Sequence, residues 1–211
     1  PDWVISHGQF NMIGDLLATQ FPTVCMEMTR GEPISLAHSL VLFDDLAREL
    51  RMPATGLLPR VPAIYRLPAH IPVRDKRVTY DREQFGLAPQ DVVYVIVGYR
   101  LVAEITDAFE AAIARILAAT PRAVILTVGG RRAYRHPQLQ AMPERLRHVQ
   151  FASELRSLMA LCDCYLNPPR QGGGNSALIA LSEHLPILTL PGGDVASVVG
   201  AANCVPDLAA L

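Results

Sequence analysis

The 211-residue sequence contains no run approaching the roughly 20 uninterrupted apolar residues that a helix needs to cross a bilayer, so no membrane span is expected. It opens with no charged-then-apolar leader, and the two absences together predict a soluble, cytoplasmic protein. An excess of charge is missing too. Against 19 basic residues stand 20 acidic ones, a formal net charge of -1, so no overall field would gather nucleic acid or an anionic membrane. Cysteine is sparse: Cys25, Cys162, Cys164 and Cys204 fit neither a zinc-ligand spacing nor a secreted disulfide framework. Cys162 and Cys164 fall in a short apolar run and read as buried, reduced thiols, so no metal site is expected. Lysine is almost absent, with Lys76 the only one.

Half of the residues are hydrophobic, enough for a sizeable core, and the length exceeds the roughly 150-residue prior for one domain. A strand at Val4 to Ser6, a helix from Asn11 to Thr19 and a strand from Thr23 to Met28 make one α/β half-unit. Because the first residues already read as strand, the chain is expected to be part of something longer. Five prolines, Pro53, Pro59, Pro62, Pro68 and Pro72, then forbid long helices, which predicts a linker over 53–90 between an N-terminal lobe (1–52) and a C-terminal lobe (91–211).

The second lobe alternates regularly. Apolar strands are predicted at Val92 to Val97, Ala123 to Val128, His148 to Phe151, Cys164 to Leu166 and Pro186 to Leu190. Between and after them come a helix capped by Thr106 and reaching Thr120, one opened by Ser153 and Glu154, one from Asn175 to Glu183 and one opened by Asp194. Strands apolar on both faces, each followed by a helix, predict a Rossmann-like parallel sheet covered by helices on both faces.

The segment with most chemical content is Asn167-Pro-Pro-Arg-Gln-Gly-Gly-Gly-Asn-Ser176, which joins a buried strand to a helix. Gly172, Gly173 and Gly174 let the backbone turn tightly and approach a ligand. The free N–H groups of the helix start attract an anion such as a diphosphate, and Asn175 and Ser176 add side-chain hydrogen bonds. It is not a P-loop, since no Gly-Lys-Ser/Thr follows, nor the dinucleotide fingerprint, since its glycines are consecutive. Ligands of open parallel sheets bind beyond the strand C-termini. The Gly172 turn, the turn carrying Gly98 and Arg100, and the turn carrying Gly193 and Asp194 are therefore expected on one rim, with Arg100 as counter-charge. His7, after the first strand and before Gly8, is the candidate general base. Glu27, Arg30 and Glu32 are candidates for lining an acceptor side.

Leu190-Pro-Gly-Gly-Asp-Val-Ala-Ser197, preceded by Gly173-Gly-Asn-Ser176 and by Leu161-Cys-Asp-Cys-Tyr-Leu-Asn167, resembles the O-linked N-acetylglucosaminyltransferase family and its bacterial relatives. Pro1-Asp-Trp-Val4, His7-Gly8 and Gly31-Glu-Pro-Ile-Ser35 look like the end of that family's acceptor-side lobe. The resemblance implies a GT-B-type fold, a UDP-sugar donor used as substrate, inversion at the anomeric carbon, no cofactor and no obligatory metal. Of the paired hydroxyl residues that hold the diphosphate in the family, the matching positions are Asn175 and Ser176, and only Ser176 keeps a hydroxyl. Where the family places a ribose-binding carboxylate this chain has Ile179, and the family's lysine near the diphosphate has no counterpart, Arg100 being the nearest cation. The expected function is thus transfer of a hexose or N-acetylhexosamine from UDP to a protein, lipid or polysaccharide acceptor. The alternative is a UDP-sugar-binding module with weak or lost turnover. A sugar-nucleotide epimerase of the same fold would need acidic residues around the glycine turn that are absent.

Overall fold

A computed structural model describes residues 2–8, 11–26, 35–43, 63–67, 78–130 and 134–211. Glu27, Arg30 and Glu32 lie outside them, as do Pro53, Pro59, Pro62, Pro68 and Pro72. The chain divides into two compact units, Pro1–His70 and Ile71–Leu211.

In the first unit four strands pair in parallel in simple chain order: β1 (Val4–His7), β2 (Thr23–Met26), β3 (Ser39–Phe43) and β4 (Ala63–Leu67). Helix α1 (Met12–Leu17) links the first two. Asn11 caps it by accepting the Gly14 amide at 2.9 Å. Gly14 is the contact residue, since a Cβ there would stand 2.6 Å from that of Ser6, so only glycine lets the helix lie this close to β1. Two strands differ from the sequence expectation. β3 was not expected, because Leu40 to Phe43 is a four-residue apolar run with no Gly or Pro after it to mark it as strand rather than helix. β4 falls inside the segment expected as linker; its five residues are the proline-free stretch between Pro62 and Pro68, and they pair with β3 from Ser39↔Ala63 to Phe43↔Leu67.

Residues 78–90 also depart from a linker. A short 3₁₀ turn at Arg82–Phe85 opens with a capping box between Asp81 and Gln84. From that turn the Arg82 guanidinium donates to the carbonyls of Leu161 (3.1 Å) and Asp91 (2.8 Å) and to the Asp163 carboxylate (3.0 Å), and Tyr80 and Phe85 pack on the core of the second unit.

The second unit is a five-stranded, wholly parallel sheet: β5 (Val92–Gly98), β6 (Ala123–Gly129), β7 (Leu146–Val149), β8 (Cys164–Leu166) and β9 (Ile187–Leu188), in spatial order β7-β6-β5-β8-β9. Strand alternation splits the core into two layers. Val93, Val95, Val124, Leu126 and Val128 pack with α5 (Leu155–Met159), α6 (Gly174–Ser182) and α7 (Gly193–Val199). Ile96, Ala123 and Ile125 meet α2 (Leu101–Glu104), α3 (Asp107–Ala119) and α4 (Pro137–Gln140) on the opposite face. Each fully buried aliphatic side chain in these layers contributes about 1.5–3 kcal/mol by leaving water. Thr106 caps α3 as expected, its hydroxyl accepting the Phe109 amide at 3.2 Å.

Two expectations are corrected here. The third strand of this unit runs Leu146–Val149, not His148 to Phe151; Gln150 and Phe151 lie beyond its pairing with Ile125 to Val128 of β6, and Phe151 is exposed. Ser153 does not cap α5: its hydroxyl pairs with the Tyr80 hydroxyl at 2.9 Å, and Glu154 takes the cap position without a side-chain bond.

Candidate functional site

The chain adds strands outward from β5 to β6 and β7, then returns to the other side of β5 for β8 and β9. Helices leaving the C-terminal ends of β5 and β8 therefore depart to opposite faces, which opens a crevice between those strands. Three turns surround it. Gly98-Tyr99-Arg100 follows β5 and enters α2, Asn167 to Gly173 follows β8 and enters α6, and Thr189 to Gly192 follows β9 and enters α7. Between the turns that follow β8 and β9 lies an open cleft of about 330 Å³, lined by Asn167, Pro169, Arg170, Gln171, Thr189, Leu190, Pro191, Gly192 and Gly193. That is within the size range of small-molecule sites, about 300–1,000 Å³.

The glycine turn and the turn before α7 are locked together through backbone. The Asp194 amide donates to the Gln171 carbonyl at 2.7 Å. Gly193, at φ +74, lies so close to the Arg170 carbonyl that a Cβ would run into it. Gly173, at φ +108, forms the left-handed entry to α6 and leaves no room for a side chain beside Arg170 and Val195. No side chain caps α6. Its first-turn amides, on Gly174, Asn175 and Ser176, thus lack a side-chain acceptor from the cap residue.

Arg100 and Arg170 have opposite environments. The Arg100 side chain is 71% exposed, its Nε 3.2 Å from Glu104 Oε1, and its Nη2 is the nearest atom, at 3.7 Å, to the place a Cβ on Gly172 would occupy. It thus leans from the β5 turn toward the glycine turn. Arg170 is 5% exposed and turned inward, where it makes four hydrogen bonds. Its Nε donates to Asn167 Oδ1 (2.8 Å), Nη1 to Glu104 Oε2 (2.9 Å), and Nη2 to the Val97 carbonyl (2.7 Å) and the Tyr165 hydroxyl (2.9 Å). Gly98 makes way for this guanidinium, which a Cβ would strike. Asn167 in turn donates to the Thr189 hydroxyl at 3.1 Å, tying β8 to β9.

The structure therefore brings Gly98, Arg100, Gly172, Gly173, Gly174, Asn175, Ser176, Gly193 and Asp194 to one rim. Asn175 is exposed there. The Ser176 hydroxyl instead lies against the Tyr165 phenol, whose pKa burial pushes up while Arg170 and Ser176 pull it partly back. Ile179 is partly buried against the core layer of Val93 and Val95, so an apolar residue suits that position. His7 stands exposed at the C-terminal end of β1 in the first unit. The residues that sequence reasoning missed are Arg170 and Glu104; the available signal was an arginine four residues past a buried strand, following Pro168 and Pro169. Cys162 and Cys164 are free thiols whose burial pushes each pKa up to about 12, and among the described residues no cluster of potential ligands could hold a metal ion.

Two parallel α/β units, the second with this strand order and crevice, define a Rossmann-like GT-B fold, and solved structures agree. The lipopolysaccharide glycosyltransferase WaaG matches with TM-score 0.52 at 14% identity, over 97% of this chain and 86% of its own. The pneumococcal O-GlcNAc transferase GtfA, solved with UDP and GlcNAc, matches with TM-score 0.56 at 13% identity over 85% of this chain. Anabaena HepE, solved with UDP-glucose, matches with TM-score 0.57 at 14% identity over 88% of this chain. The chain spans only 39% of the length of GtfA and 58% of that of HepE. No protein-family model matches the chain, and no curated protein does. Among the described residues no helix is long and apolar enough to cross a membrane.

Proposed function

We propose that this chain is part of a glycosyltransferase and that the rim of its second unit binds a UDP-sugar as donor substrate. The observation that carries this reading is the convergence, at the switch point of the sheet, of an uncapped helix start, a left-handed glycine turn and an exposed arginine leaning toward that turn. Diphosphate oxygens would accept hydrogen bonds from the first-turn amides of α6 and from Arg100. As the bond from the anomeric carbon to the UDP oxygen breaks, negative charge grows on that oxygen, and these prearranged donors stabilise it. An acceptor hydroxyl or amide attacks the opposite face, which gives inversion. Its proton passes to a base on the acceptor side, for which His7 is the candidate.

The resemblance to O-linked N-acetylglucosaminyltransferases and the O-GlcNAc transferase GtfA among the structural matches support an N-acetylhexosaminyl or hexosyl donor; the acceptor is to be sought among proteins, lipids and polysaccharides. Ile179 in place of a carboxylate, and the lack of any lysine among the described residues of the rim, support a second reading: a module that binds the donor with little turnover. Release of UDP from a UDP-sugar, measured apart from UDP binding, separates the two.

Arg100→Ala tests the site. It is expected to weaken UDP binding by about 1.5–3 kcal/mol, the range for a hydrogen bond to a charged group, and to leave uridine binding unchanged. Calorimetry with both ligands checks this. Equal losses for UDP and uridine, or none for either, would remove Arg100 from the diphosphate site.

A further inference from the structure

From the hydrogen-bonded chain Arg170–Glu104–Arg100 we infer that Glu104 is a positioning residue, which holds Arg100 aimed at the donor diphosphate and is itself fixed by the buried Arg170. The inference rests on the proposed reading of the rim as a diphosphate site.

Glu104 spends its two oxygens on two arginines: Oε2 accepts from Arg170 Nη1 at 2.9 Å and Oε1 is 3.2 Å from Arg100 Nε. The side chain of Glu104 is only 13% exposed, against 71% for Arg100. The carboxylate is thus the fixed end of the pair and the exposed arginine the end being held. Arg170 is less suited than Arg100 to be the ligand's cation, because it is buried and four of its N–H groups go to Val97, Tyr165, Asn167 and Glu104. What it supplies is a rigid anchor: the contacts to Val97 and Tyr165 fix the guanidinium to β5 and β8, the two strands that bound the crevice. Pairing through Nε leaves both terminal nitrogens of Arg100 for the ligand, and Nη2 already approaches Gly172. A long, rotamer-rich side chain is thereby ordered before the ligand arrives, so less freedom is lost on binding.

The sign of one substitution separates this from simple electrostatics. A carboxylate beside an anion site repels the anion, so if Glu104 acted only through its charge, Glu104→Gln would tighten UDP binding. Positioning predicts the reverse: Glu104→Gln weakens UDP binding by between about threefold and thirtyfold, inside the range of coupling within one charge network. Uridine affinity stays the same, and in an Arg100→Ala background the added Glu104→Gln change has no further effect on UDP. A merely structural Glu104 would lower both affinities, in both backgrounds. Arg100→Lys provides a test that leaves the buried groups untouched: an ammonium drawn to Glu104 keeps the charge but has no fork to present, so UDP binding falls nearly as far as in Arg100→Ala.

Calorimetry with UDP and uridine on the wild-type chain and these variants, each checked for its melting temperature, decides the matter. Unchanged or tighter UDP binding by Glu104→Gln, a loss that persists without Arg100, or wild-type affinity in Arg100→Lys would overturn the positioning role while leaving the site reading intact. Absence of UDP binding by the wild-type chain would instead remove the site reading, and the inference with it.

Discussion

Arg170→Met is expected to destabilise the second unit by about 3–5 kcal/mol, the cost of breaking a buried ion pair by removing one partner. The methionine fills much of the arginine's volume, so the loss would come from polar groups left behind. The Glu104 carboxylate, 13% exposed, keeps only the exposed Arg100, and the Val97 carbonyl, the Tyr165 hydroxyl and Asn167 each lose a donor. Because the sole tryptophan, Trp3, is in the first unit, its fluorescence would report on the wrong part of the chain. Hydrogen exchange of the β5 and β8 amides in increasing denaturant isolates the second unit. A change below about 1 kcal/mol would mean that these groups find water or other partners, and that Arg170 is not the clasp of the switch point.

Gly193→Ala is the second large effect, expected at about 2–4 kcal/mol from a left-handed φ and an overpacked contact together. At φ +74 a side chain is strained, and the Cβ would be driven into the Arg170 carbonyl, with the Gln171 carbonyl oxygen 3.2 Å away. Backbone on both sides must shift, which pulls the Asp194 amide from Gln171 and parts α7 from the glycine turn. Gly172→Ala is the comparison. Gly172 has no positive φ, and its nearest neighbour is the flexible end of Arg100 at 3.7 Å, so stability should stay within about 0.5 kcal/mol. Exchange protection of the α7 amides in both variants measures the difference. Equal losses would show that the turn is not locked through Gly193.

These two residues also show where sequence reasoning reaches and where it stops. β8 was legible to the residue and β5 and β6 to within one, because strands buried on both faces leave uninterrupted apolar runs bounded by glycine or a helix cap. α3 was legible through Thr106 and its apolar period. The glycine turn was legible as a tight strand-to-helix turn because consecutive glycines relieve the backbone of Cβ clashes there. β7 slipped by two residues since it is an edge strand with Arg147 and His148 in its middle, so its pattern gives no clean alternation. The inward role of Arg170 was hidden for a different reason. Its partners Val97 and Glu104 lie 73 and 66 residues away in sequence, and only the return of the chain from β7 to the far side of β5 brings them together. Arg100, by contrast, meets Glu104 at i,i+4, a spacing open to reading in advance.

The claim on which the rest depends is that the crevice between β5 and β8 binds a uridine diphosphate. Titration of the wild-type chain with UDP, followed by calorimetry and by amide shifts in isotope-labelled protein, tests it most directly. The account predicts saturable binding at millimolar affinity or tighter, with the largest shifts at Gly172 to Ser176, Gly98 to Arg100 and Gly193 to Asp194. No binding at millimolar UDP, or shifts confined to other parts of the chain, would contradict it.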